Sequence, residues 1–149
     1  MSIEKAKIIA KNKRAFFDYE IIKKYQAGIS LMGSEIKSIR DHKISMLGSF
    51  ISIQGGEAFW KGGQIARWEA AGQVSHEENR ERKLLLHKKE ITSLQKALDM
   101  KGLTIVPLSL GLVRGRAKLE IGLAKGKKNY DKRNTIKERD LSRRNTVEY

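Results

Sequence analysis

Residues 108–123, LSLGLVRGRAKLEIGL, carry apolar side chains at every second position on both sides of an Arg-Gly pair. Leu108, Leu110 and Leu112 alternate with Ser109 and Gly111, and Ala117, Leu119, Ile121 and Leu123 return after Arg114-Gly115. Period two is the period of a strand with one buried face; a helix would spread the same side chains around its circumference. The prediction is an antiparallel hairpin turning at Arg114-Gly115. Pro107 has no N–H and shifts the phase relative to Leu103 and Ile105, so a bulge or an edge position is expected there.

Similar signals recur upstream. Ala27, Ile29 and Leu31 alternate with Gly28 and Ser30, which predicts a half-buried strand. A short helix should follow, with Ser34 as N-cap and Ile36 and Ile39 facing inward. SFISIQGGEAFW reads as a second hairpin, with Ile51 and Ile53 on one side and Gly55-Gly56 at the turn. Residues 66–81 show no period and are expected to be loop. Leu84-Leu85-Leu86 opens the next ordered piece, and His87 with Glu90 resembles a capping arrangement. Ile91, Leu94, Ala97 and Leu98 form a helical stripe closed by Gly102. The sum is a mainly β chain of about six strands and two short helices, for which a small antiparallel OB-like barrel fits best in size.

Charge decides what such a barrel would meet. The chain of 149 residues has 31 basic and 17 acidic residues, a net +14. A surplus of that size on so small a domain repels itself unless a polyanion is present, and nucleic acid is the commonest one. An anionic membrane would call for an anchor or a basic amphipathic helix with bulky apolar residues opposite. Ser2 stands where myristoylation needs glycine, MSIEKAKIIAKNKR has no apolar export core, and no run approaches a membrane span. The absence of cysteine excludes disulfides and thiolate metal sites and fits a cytoplasmic protein.

Catalytic patterns are scarce. His42, His76 and His87 are far apart and read as surface or capping imidazoles, not as ligands, so neither a metal nor another cofactor is expected. Glu77-Glu78 reads as a solvated pair, and no phosphate-binding glycine loop ends in Lys-Ser or Lys-Thr. The basic groups say more. Lys11, Lys13 and Arg14 precede the first long strand, Lys37 and Arg40 share a helix face, and Lys125, Lys127 and Lys128 flank Gly126. Phe16, Phe17, Tyr19 and Tyr130 lie near them and offer stacking faces for unpaired bases, although core packing is the expected fate of Phe16 and Phe17.

The boundaries expected are a nucleic-acid-binding barrel over 1–129, its first dozen residues mobile and basic, and a basic tail over 130–149. In that tail Ile136 and Leu141 are almost the only apolar side chains, so a helix there lacks a hydrophobic face to hold it. Its local signals nevertheless favour helix. A segment disordered when free and helical against a phosphate-lined surface satisfies both.

The blocks NKRAFFDYEI, AGISLMGSEIKSIR, RKLLLHKKEI, KGLTIVPLSL and GRAKLEIGLAKGKKNYDKRNTIKERD, spread over residues 12–140, resemble the SsrA-binding protein family of bacterial trans-translation. The resemblance implies an OB-like barrel that binds the tRNA-like domain of transfer-messenger RNA and delivers it to stalled ribosomes for rescue and peptide tagging. It implies a non-catalytic, monomeric, cytoplasmic adaptor, with elongation factor Tu reached through the aminoacylated RNA. On the RNA-facing surface it places Lys13, Arg14, Lys37, Arg40, Lys125, Lys127 and Lys128. Glu35 lies in the matching GSEIKS block and either touches RNA or organises the helix start. Tyr130, Asp131, Lys132, Arg133, Ile136, Lys137 and Arg139 fall in the tail motif that is read in the decoding centre and the empty mRNA channel. The chain departs from the family at Gln26, where Glu is usual, at Gly111-Leu112-Val113, and over residues 66–81. The competing binding reading is a general RNA chaperone on the same barrel; a small RNA nuclease is the enzymatic one.

Overall fold

The computed structural model describes residues 7–68, 76–100, 102–127 and Arg133. The long hairpin is its centre: β8 (Leu103–Val113) pairs antiparallel with β9 (Arg116–Gly126) along nearly their whole length. Arg114 and Gly115 both take positive φ, 52° and 78°, the two-residue turn whose twist matches the strands it joins. A register shift between Pro107 and Ser109 is the expected bulge. Its consequence differs from the simple alternation. Leu108 is the inserted residue and packs with Ala15, Val106 and Ala124 on the outer side of the hairpin, whereas Ile105, Leu110, Leu119, Ile121 and Leu123 face the main core. An extra residue reverses the side on which the strand points, so one strand is buried on both faces.

Around the hairpin lie β1 (Lys7–Lys11), α1 (Lys13–Asp18), β2 (Tyr19–Ile29), α2 (Gly33–Arg40), β3 (Ile44–Ser45), β4 (Phe50–Gln54), β5 (Glu57–Lys61), β6 (Gln64–Ile65), β7 (Arg82–Leu85) and α3 (Lys88–Leu98). The main sheet runs β1-β8-β9-β2-β7-β5-β4, and β3 pairs separately with β6. Every pairing is antiparallel. β4 ends that sheet yet packs against β8, near its other end, so the sheet rolls up on itself. The result is the expected small OB-like barrel, with short helices around it.

Several expectations need correction. Nine strands and three helices stand among the described residues where about six and two were read. The two-residue β3 and β6 are too short to carry a period. The N-terminal dozen is not mobile throughout: Lys7–Lys11 is an edge strand on β8, held by main-chain pairing that leaves little trace in side-chain pattern. α1 was missed because only Ala15 among its six residues is buried. Asn12 caps it, its Oδ1 accepting from Ala15 N at 3.3 Å while Nδ2 donates to the Pro107 carbonyl at 2.9 Å. α2 starts two residues earlier than the Ser34 cap predicts, with Met32 at its N-cap. α3 begins at His87 as expected, the Glu90 carboxylate accepting from His87 N at 3.0 Å. Its C-cap is Asp99, three residues before Gly102.

Candidate nucleic-acid interface

Glu35, expected either to touch RNA or to organise the helix start, sits inside the fold. It is fully buried under the first turn of α2, and one oxygen accepts from Met32 N at 2.9 Å, fixing the helix start. That same oxygen receives the Arg80 guanidinium, and the other accepts from Arg82 Nε at 2.7 Å. Arg82 is itself wholly buried: its remaining nitrogens donate to the carbonyls of Gly63 at 2.7 Å and Glu78 at 2.9 Å. The guanidinium lies 5.5 Å from the centroid of the buried Trp60 ring. A Cβ at position 63 would sit 2.1 Å from that ring, so only glycine fits there. Burial pushes the Glu35 carboxyl up, but hydrogen bonds from Arg80, Met32 and Arg82 outweigh it and hold the group below its ordinary range. With no exposed surface, Glu35 organises the start of α2.

Residues 66–68 and 76–81 supply the rest of this region. His76, read as a surface imidazole, is buried: Ser34 Oγ lies 2.9 Å from its Nδ1, and its Nε2 is 2.9 Å from the Ile65 carbonyl. Ser34 therefore ties α2 to the loop instead of capping the helix. Residues 69–75 lie outside the described residues.

The cations fall into two groups. Lys13 and Arg14, on α1, stand close to the end of β9, because Lys127 N donates to the Asp18 carbonyl at 2.9 Å and its Nζ to the Phe16 carbonyl at 3.2 Å. Lys125 is exposed beside them, opposite Glu20. Arg14 pairs with Asp18 at 3.0 Å and lies over the Phe17 ring. Lys37 and Arg40 are exposed on α2, and the Arg40 guanidinium is 3.7 Å from where a Cβ of Gly115 would be, at the opposite end of the hairpin. Arg116 and Lys125, near the two ends of the 11-residue β9, are about 30 Å apart along an extended strand. The hairpin thus sets these cations in two groups, one at each of its ends. Lys128, Tyr130, Asp131, Lys132, Ile136, Lys137 and Arg139 lie outside the described residues, and Arg133 is exposed.

Sequence reasoning missed a groove of about 590 Å³ where β2, β7 and the start of α3 meet. Gln26, Leu85, His87 and Lys118 line it, with Lys83, which pairs with Glu57 at 3.1 Å, Lys88 and Glu90 at its sides. Leu85 is 57% exposed, an apolar side chain set among charges of both signs. In sequence it is one of three identical leucines; only strand alternation distinguishes it, since Leu84 points into the core.

Rolled barrel and exposed cations on both ends of one hairpin define a small basic nucleic-acid-binding protein. The SmpB protein family model matches residues 9–148, and the chain belongs to that family. The SsrA-binding protein of Flavobacterium johnsoniae is 54% identical over 133 residues, 89% of this chain and 88% of the relative. That of Sulfurihydrogenibium sp. strain YO3AOP1 is 50% identical over 137 residues, 92% of this chain and 90% of the relative. A chain in a solved structure described as "tmRNA-SmpB: a journey to the center of the bacterial ribosome" matches with a TM-score of 0.69 and 44% identity, over 80% of this chain and 85% of that one.

Proposed function

We infer that this protein is an RNA-binding adaptor which binds the tRNA-like domain of transfer-messenger RNA and carries it to stalled ribosomes. The observation that carries the reading is family membership over residues 9–148, a span that takes in the tail as well as the barrel. The barrel supplies the RNA face. Lys13, Arg14, Lys125, Lys127 and Lys128 hold phosphates at one end, and Lys37 and Arg40 hold them at the other. No catalytic step is assigned to it, and no cofactor. It acts as a monomer in the cytoplasm and meets elongation factor Tu through the aminoacylated RNA.

The tail over 130–149 does separate work. Tyr130 stacks on a decoding-centre base, and Asp131, Lys132, Arg133, Lys137 and Arg139 engage ribosomal RNA in the empty mRNA channel around a helix that includes Ile136. Truncation after Asn129 should keep transfer-messenger RNA binding and abolish tagging of stalled products. Measuring RNA affinity and tagging yield on the same truncated protein decides it. If both fall together, the tail belongs to the primary RNA site and the division of labour is wrong.

A further inference from the structure

Phe16 was expected in the core, and the fold leaves it 38% exposed on the outer face of α1. What surrounds it is cationic. Lys24 Nζ lies 5.7 Å from the ring centroid, and Lys127 Nζ is bound to the carbonyl of Phe16 itself. Lys125, exposed, is two residues further back along β9.

This arrangement depends on a second bulge. The register of β2 against β9 shifts between Ile21 and Lys23, so Ile22 is inserted and left 53% exposed. Before the bulge Ile21 pairs with Ala124 on the outer face; after it Lys23 pairs with Leu123 on the core side, and Lys24 with Gly122. The inserted residue therefore brings Lys24 round to the side on which α1 lies. Without it, strict alternation from Ile21 would put Lys23 there and turn Lys24 toward the core. The same outer face of the β2–β9 ribbon continues through Gln26 and Lys118 into the groove at Leu85.

From this geometry we propose that Phe16 is a stacking platform for one unpaired nucleobase, with Lys24 and Lys127 taking the flanking phosphates. The inference rests on the RNA-binding reading above and adds a subsite to it. A base can replace the Lys24 ammonium over the ring, because that ammonium has a phosphate within reach once the nucleotide is seated. An acidic protein segment would meet the lysines equally well but gains nothing specific from a flat aromatic face, whereas every base has one.

The test compares Phe16→Ala, Phe16→Leu, Phe16→Tyr and Lys24→Ala in the full chain, on the isolated tRNA-like domain of transfer-messenger RNA and on small ribosomal subunits. Phe16→Ala and Phe16→Leu should weaken binding roughly 5- to 150-fold, the worth of one base–aromatic stack, in the arm that holds the base. Phe16→Tyr should restore it. Leucine keeps apolar bulk and so covers the case in which alanine disturbs α1. Lys24→Ala should lower the salt-dependence slope by roughly 0.7 to 0.9, whereas the Phe16 variants leave the slope unchanged. Loss in the first arm puts the base in transfer-messenger RNA, and loss in the second puts it in the ribosome. If the wild-type protein binds neither RNA, the functional reading falls. If it binds and all Phe16 variants bind equally in both arms, the platform falls, and a tagging defect in those variants would then assign the ring to a protein contact.

Discussion

The region beneath α2 and the region around α1 are built from the same charged residue types and use them in opposite ways. Glu35 and Arg82 have no exposed surface and commit every polar atom to partners inside the fold. Lys13, Arg14, Lys24 and Lys125 stand in solvent, Arg14 in an ion pair within α1 and Arg14 and Lys24 beside aromatic rings. A charge removed from the first region leaves its partner buried and uncompensated, whereas a charge removed from the second is replaced by water. Stability and binding should therefore respond to substitution at different places, and four measurements can break or sharpen that division.

The largest effect is expected at Glu35. Glu35→Ala strands the Arg82 guanidinium and should cost roughly 3 to 5 kcal/mol in denaturant unfolding. An unfolding curve that matches wild type would mean the region tolerates water. Next comes the core that both regions share. Leu119→Ala removes a fully buried side chain and should cost about 2 to 5 kcal/mol. A loss below about 1 kcal/mol would mean that the barrel collapses around the gap.

Acid gives the third test. The folded carboxyl of Glu35 ionises below its ordinary value of 4.5, so the unfolded chain binds its proton first as pH falls. Its contribution is complete above the unfolded value and is lost as pH drops through the folded one. Melting temperature should therefore decline below about pH 4.5 in the wild type, and Glu35→Gln should flatten that part of the profile. An unchanged profile in the variant would assign the acid sensitivity to other carboxylates.

The smallest effect on stability belongs to the exposed cations. Replacing Lys13, Lys24 and Lys125 together with Ala should shift unfolding by no more than about 0.5 kcal/mol per site. The same variant should bind transfer-messenger RNA more weakly, with a salt slope reduced by roughly 0.7 to 0.9 for each phosphate that is no longer neutralised. If stability falls as far as it does in Glu35→Ala, the two regions are not distinct in kind.

The sequence was sufficient wherever structure follows from local repetition. Both hairpins, their Arg114-Gly115 and Gly55-Gly56 turns, the Pro107 bulge and the helix behind His87 were legible, because each depends on neighbours a few residues apart. The charge surplus was legible as well, since it is a sum that no fold alters. Family membership was readable from contiguous blocks of identity for the same reason.

Tertiary structure alone decided which charges are used inside and which outside. Glu35 meets Arg80 and Arg82 across 45 and 47 residues, and no period or spacing connects them. Two inserted residues, at Leu108 and Ile22, reversed the faces of their strands and thereby set what packs under α1 and which lysine stands by Phe16. Burial is a property of the closed barrel: an Arg or a Phe reads the same in either setting until the strands that would cover it have found their partners.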